Sequence, residues 1–213
     1  MPRFSAIERA AARRRATAGF TLVELLVSIS IIGVITGMMM ANFRGGQKSA
    51  EVRLASELVV NQIRSVQTSA LSGRLASVCS GGSSDLSVCE PKNPAVACTG
   101  GVCQKRVPTG YGIRFTTSPA STFLLFYDTD GDWRYDAGED VATVPYIASN
   151  AVQLTAASAG TPLDLVYAPP YGQVYVNGSS SGTPIVTLTL GHQFGATTRH
   201  VNVYTLSGKI EHD

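Results

Sequence analysis

The stretch FTLVELLVSISIIGVITGMMMA, residues 20–41, decides the architecture: 22 residues with a single charge, Glu24. As a helix it would rise about 33 Å, against a bilayer hydrocarbon core of about 30 Å. We therefore expect a transmembrane segment at 20–41. The apolar run is longer than the core of a secretory signal, and no Ala-x-Ala cleavage text follows it. The small residues Ala18 and Gly19 stand in front of it instead. A peptidase acting here would cut before the run and leave it on the mature chain.

Working outward, residues 1–19 carry Arg3, Arg9, Arg13, Arg14 and Arg15 against Glu8 alone, a net charge of +4. The flank after Ala41 is nearly neutral, so the positive-inside bias puts the N-terminus in the cytoplasm and the rest across the membrane. The whole chain of 213 residues holds 17 Lys+Arg and 15 Asp+Glu, which leaves residues 20–213 with 12 basic and 14 acidic groups. The formal +2 is thus a basic leader on a mildly acidic body, not the profile of a strongly basic nucleic-acid binder. With 44% hydrophobic residues and four Cys, the chain is neither disordered nor a disulfide miniprotein.

Glu24 is the unusual residue. A carboxylate in a lipid-spanning helix costs several kcal/mol unless paired or neutralised, which marks it as functional by default. The alternative is a helix-end acid favoured by the N-terminal dipole. A cut between Gly19 and Phe20 would create an ammonium four residues before the carboxylate. That ammonium on a neighbouring chain could pair with Glu24, satisfying the acid only when subunits stack in register.

Gly19-Phe20-Thr21-Leu22-Val23-Glu24-Leu25-Leu26 resembles the class III signal of type IV prepilins and type II secretion pseudopilins. The resemblance implies that a prepilin peptidase cuts after Gly19 and methylates Phe20 to N-methylphenylalanine, and that Glu24 aligns the subunit in a filament. It implies as partners the prepilin peptidase, other pilin or pseudopilin subunits, an inner-membrane assembly platform and the membrane itself. Gly33-x-x-x-Gly37 is a small-residue pattern that permits close helix packing, or incidental glycines in a membrane helix.

Residues 47–72 contain no Gly or Pro, and Val52, Ala55, Val59, Ile63, Val66 and Ala70 recur at spacings of three and four. Gly73 is a plausible C-cap. If Gly45-Gly46 bends rather than breaks the helix, it runs from Phe20 to Ser72 with an amphipathic second half at 42–73. Beyond Gly73, short runs rich in Val, Ile, Thr, Tyr and Phe alternate with turn residues: 110–116, 121–128, 152–155, 163–168, 173–177, 184–190, 199–206 and 209–211. The expected fold is α+β, a pilin-like long N-terminal α-helix packed on an antiparallel β-sheet head at 74–213. The texts Ala168–Gln173, Val201–Ile210 and Gly110–Val141 are loosely similar to those of the GspH/FimT pseudopilins. That similarity implies a minor pseudopilin of type II secretion, with a FimT-like minor type IV pilin involved in pilus assembly or DNA uptake, or a tip ligand-binding module, as the alternatives.

Cys79, Cys89, Cys98 and Cys103 fall in a Gly/Ser/Pro-rich loop at 75–108. No paired CxxC and no nearby His favour a metal, so disulfides in an oxidising space are expected, with three pairings open. Residues 128–140 hold six acids. Asp128, Asp130, Asp132, Asp136 and Glu139 approach the spacing of a calcium loop, but Trp133 stands where the glycine belongs. Ca²⁺ is therefore a candidate ligand beside a plain solvated turn; no cofactor is otherwise required. No HExxH, GxSxG, Walker or dinucleotide motif occurs, and His192, His200 and His212 have no sequence-adjacent partners. The expectation is a non-enzyme. Related DNA-binding chains carry a C-terminal Gly-Arg-x-Arg text; here Gly208-Lys209-Ile210-Glu211 puts an acid in the second basic place, which opposes phosphate binding. Nucleic acid would then depend on Lys105, Arg106, Arg114, Arg134 and Arg199 clustering in the fold.

Overall fold

A computed structural model describes residues 19–80, 87–89, 98, 101–116, 120–180 and 183–213, with backbone alone at 41–45. The leader expected at 1–19 lies outside the described residues apart from Gly19, as does much of the loop at 75–108. The chain divides into two units, Met1–Arg44 and Gly45–Asp213. The helix α1, Leu22–Ser72, contributes to both.

In the first unit α1 starts where Thr21 can cap it. The Thr21 hydroxyl oxygen accepts the Glu24 N–H at 3.2 Å, and the Thr21 carbonyl accepts the Leu25 N–H at 3.1 Å. Thr21-x-x-Glu24 has capping-box spacing, and Glu24 sits in the first turn, where the helix dipole favours an acid. Leu22–Met40 has a mean hydropathy of 2.2 and is long and apolar enough to cross a membrane. Its Ser28, Ser30 and Thr36 hydroxyls donate to carbonyls one turn back, so no side-chain donor there is left bare.

In the second unit α1 buries one stripe. Val52, Ala55, Val59, Ile63 and Ala70 are wholly inaccessible and Val66 nearly so, at the spacing the sequence predicts. The helix ends after Ser72 because Gly73 adopts φ +59°. Gly73 N–H then bonds to Ala70 O and Arg74 N–H to Ser69 O, a Schellman cap.

Among the described residues eleven strands follow: β1 Ala76–Ser80, β2 Val102–Arg106, β3 Gly110–Phe115, β4 Thr122–Asp128, β5 Asp140–Pro145, β6 Val152–Ala157, β7 Leu163–Ala168, β8 Gln173–Val176, β9 Ile185–His192, β10 Thr198–Tyr204 and β11 Ile210–His212. All pairings are antiparallel, in a ribbon β1-β2, a five-stranded sheet β5-β4-β3-β7-β8 and a four-stranded sheet β11-β10-β9-β6. The fold is α+β and pilin-like, as expected. The sequence reading missed β1 and β2, which lie inside the cysteine loop, and β5, whose Val141 and Val144 stand three apart rather than in alternation.

The core lies between the α1 stripe and both larger sheets. Tyr111, Ile113, Phe115, Phe123, Leu163 and Leu165 come from the five-stranded sheet; Leu188, Leu190, Val201 and Val203 come from the other. Alternation sends Gly110, Gly112, Arg114, Phe126, Asp128, Asp164 and Val166 to the opposite face of the five-stranded sheet. Phe126 is buried there because its ring covers Gly112; a Cβ at Gly112 would lie 2.1 Å from that ring. Gly112→Ala should therefore destabilise the chain by about 1–3 kcal/mol, read from denaturant midpoints. Combining it with Phe126→Leu should recover part of that loss, and purely additive losses would refute the ring-over-glycine account.

Candidate functional site

The first unit presents the N-terminal signal residues. Gly19, Phe20 and Glu24 are exposed, and Gly33 and Gly37 lie on one open helix face, since a Cβ at either would meet nothing within 4 Å.

In the head, the acidic turn folds over the outer face of the five-stranded sheet. Tyr135 packs edge-on against Phe126, with ring centroids 5.5 Å apart, and the Arg114 guanidinium lies 4.8 Å from the Tyr135 ring centre. The turn is held by its own acids. Asp128, fully buried, accepts the Gly131 N–H at 2.7 Å and the Trp133 N–H at 3.2 Å. Glu139, also buried, accepts the Thr129 N–H and hydroxyl through Oε1 and the Asp136 N–H through Oε2. Burial pushes the Asp128 carboxyl up to about 6 and the Glu139 carboxyl up to about 7, against the opposing pull of those N–H donors.

The five acids read as a calcium loop form two overlapping trios rather than one shell. Asp128, Asp130 and Glu139 bring carboxylate oxygens within 4.8 Å of one another, as do the exposed Asp130, Asp132 and Asp136. Either trio could hold a cation by donor chemistry, but the oxygens of Asp128 and Glu139 already serve backbone donors.

The four cysteines form two interlaced disulfides, Cys79–Cys98 and Cys89–Cys103, which resolves the pairing that the sequence left open. Cys79 and Cys103 face each other across β1 and β2 yet bond elsewhere. Residues 87–89 tie the loop to its surroundings: Ser87 O accepts from Cys79, Cys89 N–H donates to Ser77, and Val88 N–H donates to Gly138 O at 2.8 Å. The cysteine loop thus braces the acidic turn.

Beside the turn lies an open cavity of about 480 Å³, lined by Arg114, Asp132, Arg134, Tyr135, Asp136, Pro162, Asp164 and Asn177. Asp164 and Arg114 are direct neighbours on β7 and β3 and form an ion pair of 3.4 Å. The sequence reading passed over Asp164 and Asn177. An acid and a base inside otherwise apolar strands were the available signal.

Two of the three histidines have side-chain partners in the fold. His192 Nε2 lies 3.2 Å from Glu51 Oε2 while its Nδ1 accepts the Phe194 N–H, and His200 bonds to Thr189. Among the five basic residues considered for nucleic acid, Arg114 and Arg134 share their cavity with three Asp. Lys209, in the C-terminal text, is paired with Glu211, which also accepts from Tyr204.

Residues 14–40 match the family model of the prokaryotic N-terminal methylation motif. The N-terminus carries a prepilin-type signal. The match supports a type IV pilin-like subunit, processed by a prepilin peptidase and assembled with other such subunits. No curated protein and no solved structure matches the chain.

The raised carboxyls give the head a signed pH dependence. Between pH 4.5 and about 7, Glu139 holds a proton in the folded chain that it would release when unfolded. That contribution favours folding at the acid end and is lost as pH rises through about 7. Asp128 adds the same sign between 3.8 and about 6. The slope of the thermal midpoint against pH over this window should be less negative in Glu139→Gln than in the parent chain, and equal slopes would contradict the assignment.

Proposed function

We propose that the chain is a non-catalytic filament subunit, a minor pseudopilin of the GspH/FimT type that serves type II secretion. The observation that carries the reading is the methylation motif at 14–40, with Gly19 and Phe20 set directly before an apolar helix and Glu24 in its first turn. In this reading prepilin peptidase cuts after Gly19 and methylates Phe20. The subunit waits in the inner membrane with its N-terminus cytoplasmic and its head periplasmic, and the assembly platform then draws it into the filament. Two disulfides suit a head on the oxidising side. The α+β head supplies a folded body on the helical shaft, and the side chains of His192 and His200 are engaged by Glu51 and Thr189.

The second reading is a FimT-like minor pilin working in pilus assembly or DNA uptake. It is weaker because the one basic residue of the C-terminal text, Lys209, is neutralised by Glu211. Phosphate binding needs basic groups free to displace counterions.

Glu24→Val in the native host should leave cleavage and methylation intact while removing the chain from the filament fraction. Mass spectrometry of the N-terminus reads the first and immunoblotting of sheared filaments the second. Normal incorporation of Glu24→Val would sink the assembly role. Deleting the chain should lower export of folded proteins and spare pili and transformation; the reverse pattern would favour the FimT-like reading.

A further inference from the structure

The two disulfides stand side by side. The sulfurs of Cys79, Cys89 and Cys98 all lie within 4.8 Å of one another, although Cys89 is bonded to Cys103 and to neither of the other two. Access to the four residues is graded. Cys79 is wholly buried, Cys89 and Cys98 are half-buried, and Cys103 is exposed on β2. Lys105 is also exposed, and a spacing of two residues puts it on the face that carries Cys103. A cation there favours the approach of an anionic thiolate. Disulfides exchange by thiolate attack on a sulfur, so access and the neighbouring charge single out Cys103 as the point of entry.

Backbone hydrogen bonds show where a second pairing fits. Cys79 N–H donates to Ser87 O at 2.7 Å and Cys89 N–H to Ser77 O at 2.9 Å, on either side of the Val78–Val88 bridge. Ser77 and Cys79 therefore turn their backbone groups toward residues 87–89 and away from β2. Cys79 and its register partner Cys103 are then a non-hydrogen-bonded pair of the β1–β2 ribbon. Such a pair holds its Cα atoms about 4.5 Å apart with side chains on one face. That lies inside the range of about 4.4–6.8 Å that a disulfide spans. A Cys79–Cys103 bond needs no change of register, and the Cys89 sulfur already stands beside that of Cys98.

We propose that Cys103 is a site of modification by a small thiol, from which the four sulfurs re-pair. The thiolate attacks Cys103 Sγ, forming a mixed disulfide and expelling Cys89 as thiolate. Cys89 Sγ attacks Cys98 Sγ, and the Cys79–Cys98 bond breaks to leave Cys79 as thiolate. Cys79 Sγ then attacks Cys103 Sγ across the ribbon and returns the small thiolate to solution. Each step forms one S–S bond and breaks one, so no oxidant or reductant is consumed. The interlaced pairs become nested, with Cys89–Cys98 inside Cys79–Cys103. The bond lost in this exchange, Cys89–Cys103, ties β2 to the segment that reaches the acidic turn through Val88 and Gly138. A thiol thereby controls the covalent link between the ribbon and the brace of that turn.

The test uses the full mature chain in detergent at neutral pH, with a substoichiometric amount of reduced glutathione. Samples quenched in acid over time are mapped by tandem mass spectrometry. Glutathione should appear first on Cys103. Cys79–Cys103 and Cys89–Cys98 should then rise together, in equal amounts, at the expense of the interlaced pairs, while total free thiol stays constant. Without glutathione the interlaced pairs should persist. Glutathione first on Cys79, Cys89 or Cys98, or an unchanged pairing in its presence, would overturn the proposal. So would re-pairing in its absence, formation of Cys79–Cys89 with Cys98–Cys103, or loss of disulfides without new ones.

Discussion

One apolar stripe on a helix is the constraint on which the head depends. Among the described residues the five-stranded and four-stranded sheets share no strand pairing. Both instead bury side chains against Val52, Ala55, Val59, Ile63, Val66 and Ala70 of α1. Each fully buried Val or Ile on that face contributes about 1.5–3 kcal/mol relative to exposure. Those contacts also fix register, because a one-residue slip of β3 or β7 would turn Ile113 or Leu165 away from the helix. A helix that must continue in another environment is thereby made the central element of the head.

Giving the inner face of the five-stranded sheet to the helix leaves its outer face for other chemistry. That face holds Gly110 and Gly112, the rings of Phe126 and Tyr175, Leu124, Val166 and the cross-strand Arg114–Asp164 ion pair. The acidic turn covers it instead, anchored by Tyr135 on Phe126 and braced through Val88 and Gly138 by the disulfide loop. The acids therefore divide by burial. Asp128 and Glu139 cap the turn's own backbone, where burial raises their proton affinity. Asp132 and Asp136 stay exposed and line the cavity.

The helix, its stripe and its Gly73 stop were legible because 3.6-residue periodicity and a left-handed cap are local properties written in adjacent residues. Most strands were legible for the same reason. β5 was not, because an edge strand with exposed side chains shows no alternation, and β1 and β2 were hidden in a loop whose composition reads as irregular. The disulfide pairing was illegible because Cys79 and Cys103 face each other across the ribbon while each bonds elsewhere, a matter of three-dimensional path. The acidic spacing suggested one calcium shell, but the backbone N–H groups that occupy Asp128 and Glu139 become visible only when the turn is closed. Asp164 escaped notice because its meaning comes from Arg114, fifty residues away on a neighbouring strand.

The first unit poses a different physical problem. Leu22–Met40 exposes every Leu, Val, Ile and Met it contains, and none of the described residues of its unit covers them. In water that surface would drive aggregation, so its natural surroundings are lipid or other apolar helices. These two are nearly equivalent as solvents, because lipid tails are as apolar as Leu and hydrophobic burial gains little on exchange. A subunit with such a helix can therefore pass between a membrane and a filament core without a large hydrophobic barrier. What then distinguishes the two states must be a group whose energy differs sharply between them. Glu24 is the single charge in this span, and in an apolar medium its ionised form demands a partner. On the proposed reading the apolar residues make the transfer nearly neutral, and the one carboxylate decides which state is occupied.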